Sequence, residues 1–135
     1  MKAKSKISVE RWEEVKLGEA INNMLIARAS VIYTTLGDIN GKLDVEYLLH
    51  YTNYDNANQH NSEATYMGYI TFSGSINQKS GTFVLEDKGS YSSVGPISEL
   101  TIKPYTGTGD FIGISGGGRY FSEGKNMIIE FDYTF

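Results

Sequence analysis

Polar and apolar residues alternate singly over most of this chain. From Lys42 to Tyr54, Leu43, Val45, Tyr47, Leu49 and Tyr51 fall on one side, with Lys42, Asp44, Glu46 and His50 on the other. Period two is the signature of a β-strand with one buried face. Glu63 to Ile76 repeats it, with Tyr66, Ile70, Phe72 and Ile76 against Thr65, Thr71, Ser73 and Ser75. Asn126 to Phe135 sets Met127, Ile129, Phe131 and Tyr133 against Glu130 and Asp132. Further strand runs are Lys6 to Leu17, Met24 to Gly37, Gly81 to Tyr91 and Ile97 to Pro104, with a short strand expected within Phe111 to Phe121.

The punctuation between runs is glycine-rich, and the links 37–41 and 75–81 are short and full of Gly, Asn, Asp and Ser, as hairpins require. No link between the runs read as strands has room for a crossover helix, so neighbouring strands are antiparallel. Several runs exceed the usual strand length, which favours a barrel of tilted strands over a sandwich. The expected fold is all-β, a single antiparallel barrel of about eight strands spanning residues 1–135 as one domain.

The run Met24 to Gly37 departs from clean alternation. Met24, Ile26, Arg28, Ile32 and Leu36 share one parity, and Leu25, Ala27, Ala29, Val31 and Tyr33 the other, so both faces are largely apolar. One face then packs inside the barrel and the other meets a second element or subunit, which points to a homo-oligomer. Should Arg28 face inward, its cation needs an anionic partner: a ligand carboxylate, or an acid of the chain such as Glu86 or Glu99.

Composition narrows the functional classes. The 135 residues include no cysteine, which removes disulfides, thiol nucleophiles and Cys-ligated metals. Twelve basic against sixteen acidic residues give a net charge of −4, the wrong balance for binding nucleic acid. Met1 to Lys6 is basic but leads into Ser8 to Glu14 without an apolar stretch, so no secretory signal is read. No segment approaches the roughly 20 apolar residues of a membrane-spanning helix, and a cytoplasmic location without membrane partners is expected.

Candidate catalytic strings dissolve on inspection. Gly113-Ile-Ser115-Gly-Gly117 matches a nucleophile elbow, but no helical pattern follows and both histidines, His50 and His60, lie upstream. Residues 107–113 miss the dinucleotide fingerprint, and Gly124-Lys125-Asn126 lacks the spacing of a phosphate loop. His60 lies in a polar loop, residues 53–62, expected to be mobile. Glu46 and His50 lie about 13 Å apart along one strand face, too far to share a metal ion. Asp44 and Glu46 are close enough for paired-carboxylate work, but two acids on an exposed strand face are commonplace. Glu10, Glu13 and Glu14 read as charged strand surface, with Trp12 placed to pack over a barrel end. No cofactor is expected.

Four segments in order resemble a known family: Arg28-Ala-Ser-Val31 with Gly37-Asp-Ile-Asn-Gly41, Val45-Glu-Tyr-Leu-Leu-His-Tyr51, Ser80-Gly-Thr-Phe-Val-Leu85, and Gly107 to Gly116. Together they resemble the bacterial domain-of-unknown-function family 3224, small β-barrels similar in fold to plant allene oxide cyclase. The resemblance spans nearly the whole chain and implies an antiparallel barrel with an apolar interior, often self-associated. It implies no activity, and none of the plant enzyme's catalytic residues finds a counterpart here. The 53–62 loop is longer and more polar than the family pattern leads one to expect.

Ten tyrosines and six phenylalanines complete the picture. Rings on the buried parity either fill a small barrel or line a cavity for one small ligand, and buried tyrosine hydroxyls need polar partners. The expected function is binding of a small apolar or amphipathic molecule in the barrel interior. Arg28 is its polar anchor, and Tyr47, Tyr51, Tyr66, Phe83, Phe131 and Tyr133 form the pocket. One alternative is a cyclase or isomerase acting by confinement, with Arg28 or Glu46 stabilising developing charge. The other is a ligand-free homo-oligomeric scaffold.

Overall fold

The computed structural model describes residues 1–55, 57–58 and 61–135. Eight antiparallel strands close into one barrel in sequence order: β1 Lys2–Lys16, β2 Leu25–Gly37, β3 Ile39–Asn53, β4 Glu63–Ile76, β5 Lys79–Ser92, β6 Gly95–Ile102, β7 Ser115–Glu123 and β8 Asn126–Thr134. No helix among the described residues is long and apolar enough to cross a membrane.

The alternation is realised strand by strand, with Leu43, Val45, Tyr47, Leu49 and Tyr51 of β3 buried and the residues between them exposed. Hairpin chemistry sets the register. The β2–β3 turn is tied by the Asn40 side chain, which accepts from Gly37 N–H and donates back to the Gly37 carbonyl. The β4–β5 turn holds Asn77 and Gln78 at positive φ, the twist that matches two-residue hairpins.

Two elements differ from the alternation pattern. The first strand starts at Lys2, because Lys2 to Lys6 pair with Asp132 to Ile128 and so close the barrel. Charged residues hid this: Lys2, Lys4 and Lys6 point outward while Ala3, Ser5 and Ile7 point in. Phe111, expected on a strand, instead lies in the 3-10 turn Gly109–Phe111, and β7 begins only at Ser115. That turn folds under the lower end of the barrel, where the chain termini meet.

The lower half is a solid aromatic and aliphatic plug. Phe72 packs on Phe83, Phe111 and Phe131 at ring-centroid distances of 5.1, 6.2 and 6.3 Å, among fully buried Ile39, Leu43, Ile70 and Ile129. Each such side chain contributes roughly 1.5–3 kcal/mol of burial free energy.

The upper half is built differently. A row of paired residues that leaves β1 at Lys16 runs through Ala27, Leu49, Tyr66, Gly89, Ser98, Tyr120 and Ile129 and returns to β1 at Ser5. This stagger is the shear of a tilted barrel. Because β8 is short, β1 from Ile7 upward pairs with β2 alone among the described residues. A bulge between Val9 and Arg11 also reverses the parity of β1, so that Trp12 and Glu14 stand beside the inward Val31 and Ala29.

Candidate functional site

Above the phenylalanine plug the interior turns polar. Alternation along β5 carries Phe83 and Leu85 inward and then Asp87, which is completely buried. Tyr47 of β3 donates its hydroxyl to Asp87 Oδ2 at 2.8 Å, and its oxygen lies 2.7 Å from the Tyr120 hydroxyl of β7 and 3.3 Å from that of Tyr33 of β2. Tyr120 reaches Tyr66 of β4 at 3.2 Å, and Tyr66 bonds Ser98 of β6. Six strands thus contribute one polar group each to a single cluster.

Room for four phenol rings comes from small residues on the same walls. Ala27 and Ala29 of β2 are fully buried. Gly89 of β5 lies against Tyr66 so closely that a Cβ there would stand 2.5 Å from both the Tyr66 hydroxyl and the Ile97 carbonyl.

One atom in the cluster is unsatisfied. Asp87 Oδ1 is buried without a hydrogen-bond partner, alone in that respect among the side chains of the described residues. A buried polar atom left unpaired in a native fold marks strain, a bound water or ion, or a functional role. Burial raises the Asp87 carboxyl from its ordinary 3.8 to about 6, against the opposing hydrogen bond of Tyr47 and the nearby hydroxyls of Ser98 and Tyr120. Burial likewise pushes Tyr47, Tyr120, Tyr66 and Tyr33 upward, so these phenols act as neutral hydroxyls.

The roof is Trp12, whose ring centroid is 6.3 Å from that of Tyr47 and which stays 45% exposed. Glu14 fixes it, accepting from Trp12 Nε1 at 3.1 Å and from the Tyr51 hydroxyl at 2.8 Å. Glu14 is therefore a half-buried clamp at the mouth rather than charged strand surface. Lys16 covers Tyr54 at 4.8 Å, and Tyr54 packs edge-on against Tyr51.

Of the residues expected to bind a ligand, Tyr47 and Tyr66 meet in the cluster and Tyr51 stands at its rim. Phe83 and Phe131 lie 6.1 Å apart inside the plug below. Tyr133 is at the lower end, its hydroxyl accepting from Asn77 Nδ2. Arg28 is corrected outright: it is exposed on the outer face of β2, between Val15 and Leu48, because the fully buried Ala27 and Ala29 take the inward parity. Glu46 is also outside and accepts from Ser30 Oγ at 2.8 Å. Neither residue reaches the interior, so confinement chemistry cannot run through them.

Asp87, Tyr120, Ser98 and Tyr33 were absent from the expected site. Asp87 carried a signal, since it continues the inward parity of Phe83 and Leu85. Tyr120 carried little, because Gly116 to Gly118 break the alternation around it. Ser115 of the elbow-like string is exposed and pairs with Thr134 Oγ1. Among the described residues no group of three or more His, Asp or Glu side chains is gathered to hold a metal, and His60 lies outside the described residues. Tyr54, Asp55 and Ser62, in the loop expected to be mobile, are tied in: Tyr54 N–H donates to the Asn23 carbonyl and Asp55 N–H to Ser62 Oγ.

The family model for a protein of unknown function, DUF3224, matches residues 3–134. The chain belongs to this family. A crystal structure of a DUF3224 protein of unknown function from Shewanella oneidensis MR-1 superposes with a TM-score of 0.80 at 19% identity, covering 100% of this chain and 97% of that one. At that identity the likeness speaks for the barrel alone. No curated protein matches the sequence.

Proposed function

We propose that this DUF3224 barrel binds a small amphipathic molecule bearing a hydroxyl, in the upper half of its interior. The observation that carries the reading is the orphaned Asp87 Oδ1 within an otherwise paired tyrosine cluster. A ligand hydroxyl supplies the missing donor, the ring faces of Tyr47, Tyr66 and Tyr120 receive the apolar body, and the phenylalanine plug limits depth. Access runs under Trp12, because the upper part of β1 is held by one neighbouring strand and is the least costly wall segment to displace. An isomerase or cyclase reading would have to run through Asp87.

Two measurements test the proposal. Native mass spectrometry of the untagged protein, followed by denaturation, should release a stoichiometric small molecule. Trp12, the single tryptophan, should report saturable binding of octan-1-ol by fluorescence, at least about tenfold tighter than octyl methyl ether, which lacks the donor. Asp87→Leu should erase that preference. Equal binding of alcohol and ether removes Asp87 from the site, and no released molecule together with an unresponsive Trp12 defeats the reading.

A further inference from the structure

The outer face of β2 to β5 carries a cluster of apolar side chains exposed to water. Ile26, Leu48, Met67 and Tyr69 are each about half exposed there, at 49, 48, 51 and 58%. They adjoin a groove of about 320 Å³ lined by Leu48, Met67 and Tyr69 together with Arg28, Glu46 and Glu86.

The register divides the charges on this face. One paired row reads Arg28, Leu48, Met67, Lys88, and the next outward-facing row toward the lower end reads Ser30, Glu46, Tyr69, Glu86. Above the first row lie Ile26 and His50, and below the second lie Ile32 and Asp44. Within these rows the basic and imidazole side chains, Arg28, Lys88 and His50, are therefore on the upper side of a line between the two central rows and the acids, Glu46, Glu86 and Asp44, on the lower side, while Lys42, Lys79 and Glu63 lie beyond them toward the strand ends. Arg28 has no ion pair among the described residues.

We infer that this face is an isologous interface with a second copy of the chain, its two-fold axis running along that line across the strands. Rotation about the axis lays each strand on its own copy, head to foot. Met67 then meets Tyr69 of the second copy, Ile26 meets Ile32, Lys88 meets Glu86 and His50 meets Asp44. Arg28 is delivered between Ser30 and Glu46, the acid it lacks in the monomer. Within these rows the operation brings Lys88 to Glu86 and His50 to Asp44 and sets no like charges against each other.

Sedimentation of the full chain tests this. The parent should sediment as a dimer at micromolar concentration. Lys88→Glu, which puts acid on acid, should weaken self-association by about tenfold or more. Adding Glu86→Lys to it should restore the dimer, and Met67→Asp should abolish it. All are exposed or rim positions, so the fold is retained. A parent that stays monomeric at high-micromolar concentration overturns the inference and leaves the face to a different partner. A dimer indifferent to both Lys88→Glu and Met67→Asp overturns it equally, because the contact then lies elsewhere.

Discussion

Neighbouring carboxylates on β5 are driven in opposite directions. Glu86 points outward, and Lys88 at 3.2 Å and Lys103 at 3.4 Å hold its carboxyl below the usual range. Asp87, one residue on, points inward and is raised by burial to about 6. A carboxyl whose folded value is raised favours the protonated form in the fold. Its contribution is fully present below the unfolded value of 3.8 and is lost as pH rises through about 6, amounting to about 3 kcal/mol. Asp87→Asn should therefore be more stable than the parent by about 1–3 kcal/mol at pH 7.5, with the difference vanishing near pH 4. Urea unfolding of both proteins at the two pH values decides it, and parallel stability profiles would show that Asp87 is not desolvated as described. A residue retained against stability fits a binding role.

Elements carry the next level of constraint. β5 must be smooth where β4 sends Tyr66 across it, which is why Gly89 stands there. The contact from a Cβ includes the backbone carbonyl of Ile97, so turning the Tyr66 ring does not relieve it. Gly89→Ala should cost about 1–3 kcal/mol, measured by chemical denaturation, as overpacked sites do. An unchanged midpoint would mean that β5 and β6 are more loosely paired at this level than their register indicates. β1 shows a different constraint, because its bulge alone brings Trp12 and Glu14 to the mouth. Without the shift between Val9 and Arg11, Trp12 and Glu14 would point to solvent and Arg11 and Glu13 inward.

As a whole, the molecule has a closed, apolar lower half and an upper half whose wall is incomplete beside β1. Stability should follow that division. Amide hydrogen exchange should be slow at Lys4 to Lys6, which are held by β8 on one edge and by β2 or Asp38 of the β2–β3 turn on the other, and markedly faster from Ser8 to Lys16, which pair on one edge only. Uniform protection along β1 would rule out this segment as the route of ligand access. The outer face of β2 to β5 should gain protection on self-association, which links the two regions without requiring either to depend on the other.

The sequence by itself determined the strands, their antiparallel order, the barrel and most of the rings inside it, because the two-residue period of the pleat and the turn residues are local properties. It could not choose the inward parity of β2, where Ile26 and Ile32 are as apolar as Ala27 and Ala29. Alanine fits there because Ala29 stands directly beside Tyr47 in an upper half filled by the rings of Tyr33, Tyr47, Tyr66 and Tyr120. The bulge in β1, the pairing of Lys2 to Lys6 with β8 and the meeting of Asp87 with hydroxyls from distant strands likewise belong to the closed barrel. Closure joins positions such as Tyr47 and Tyr120 that no short-range pattern relates, and there the candidate site was decided by tertiary structure alone.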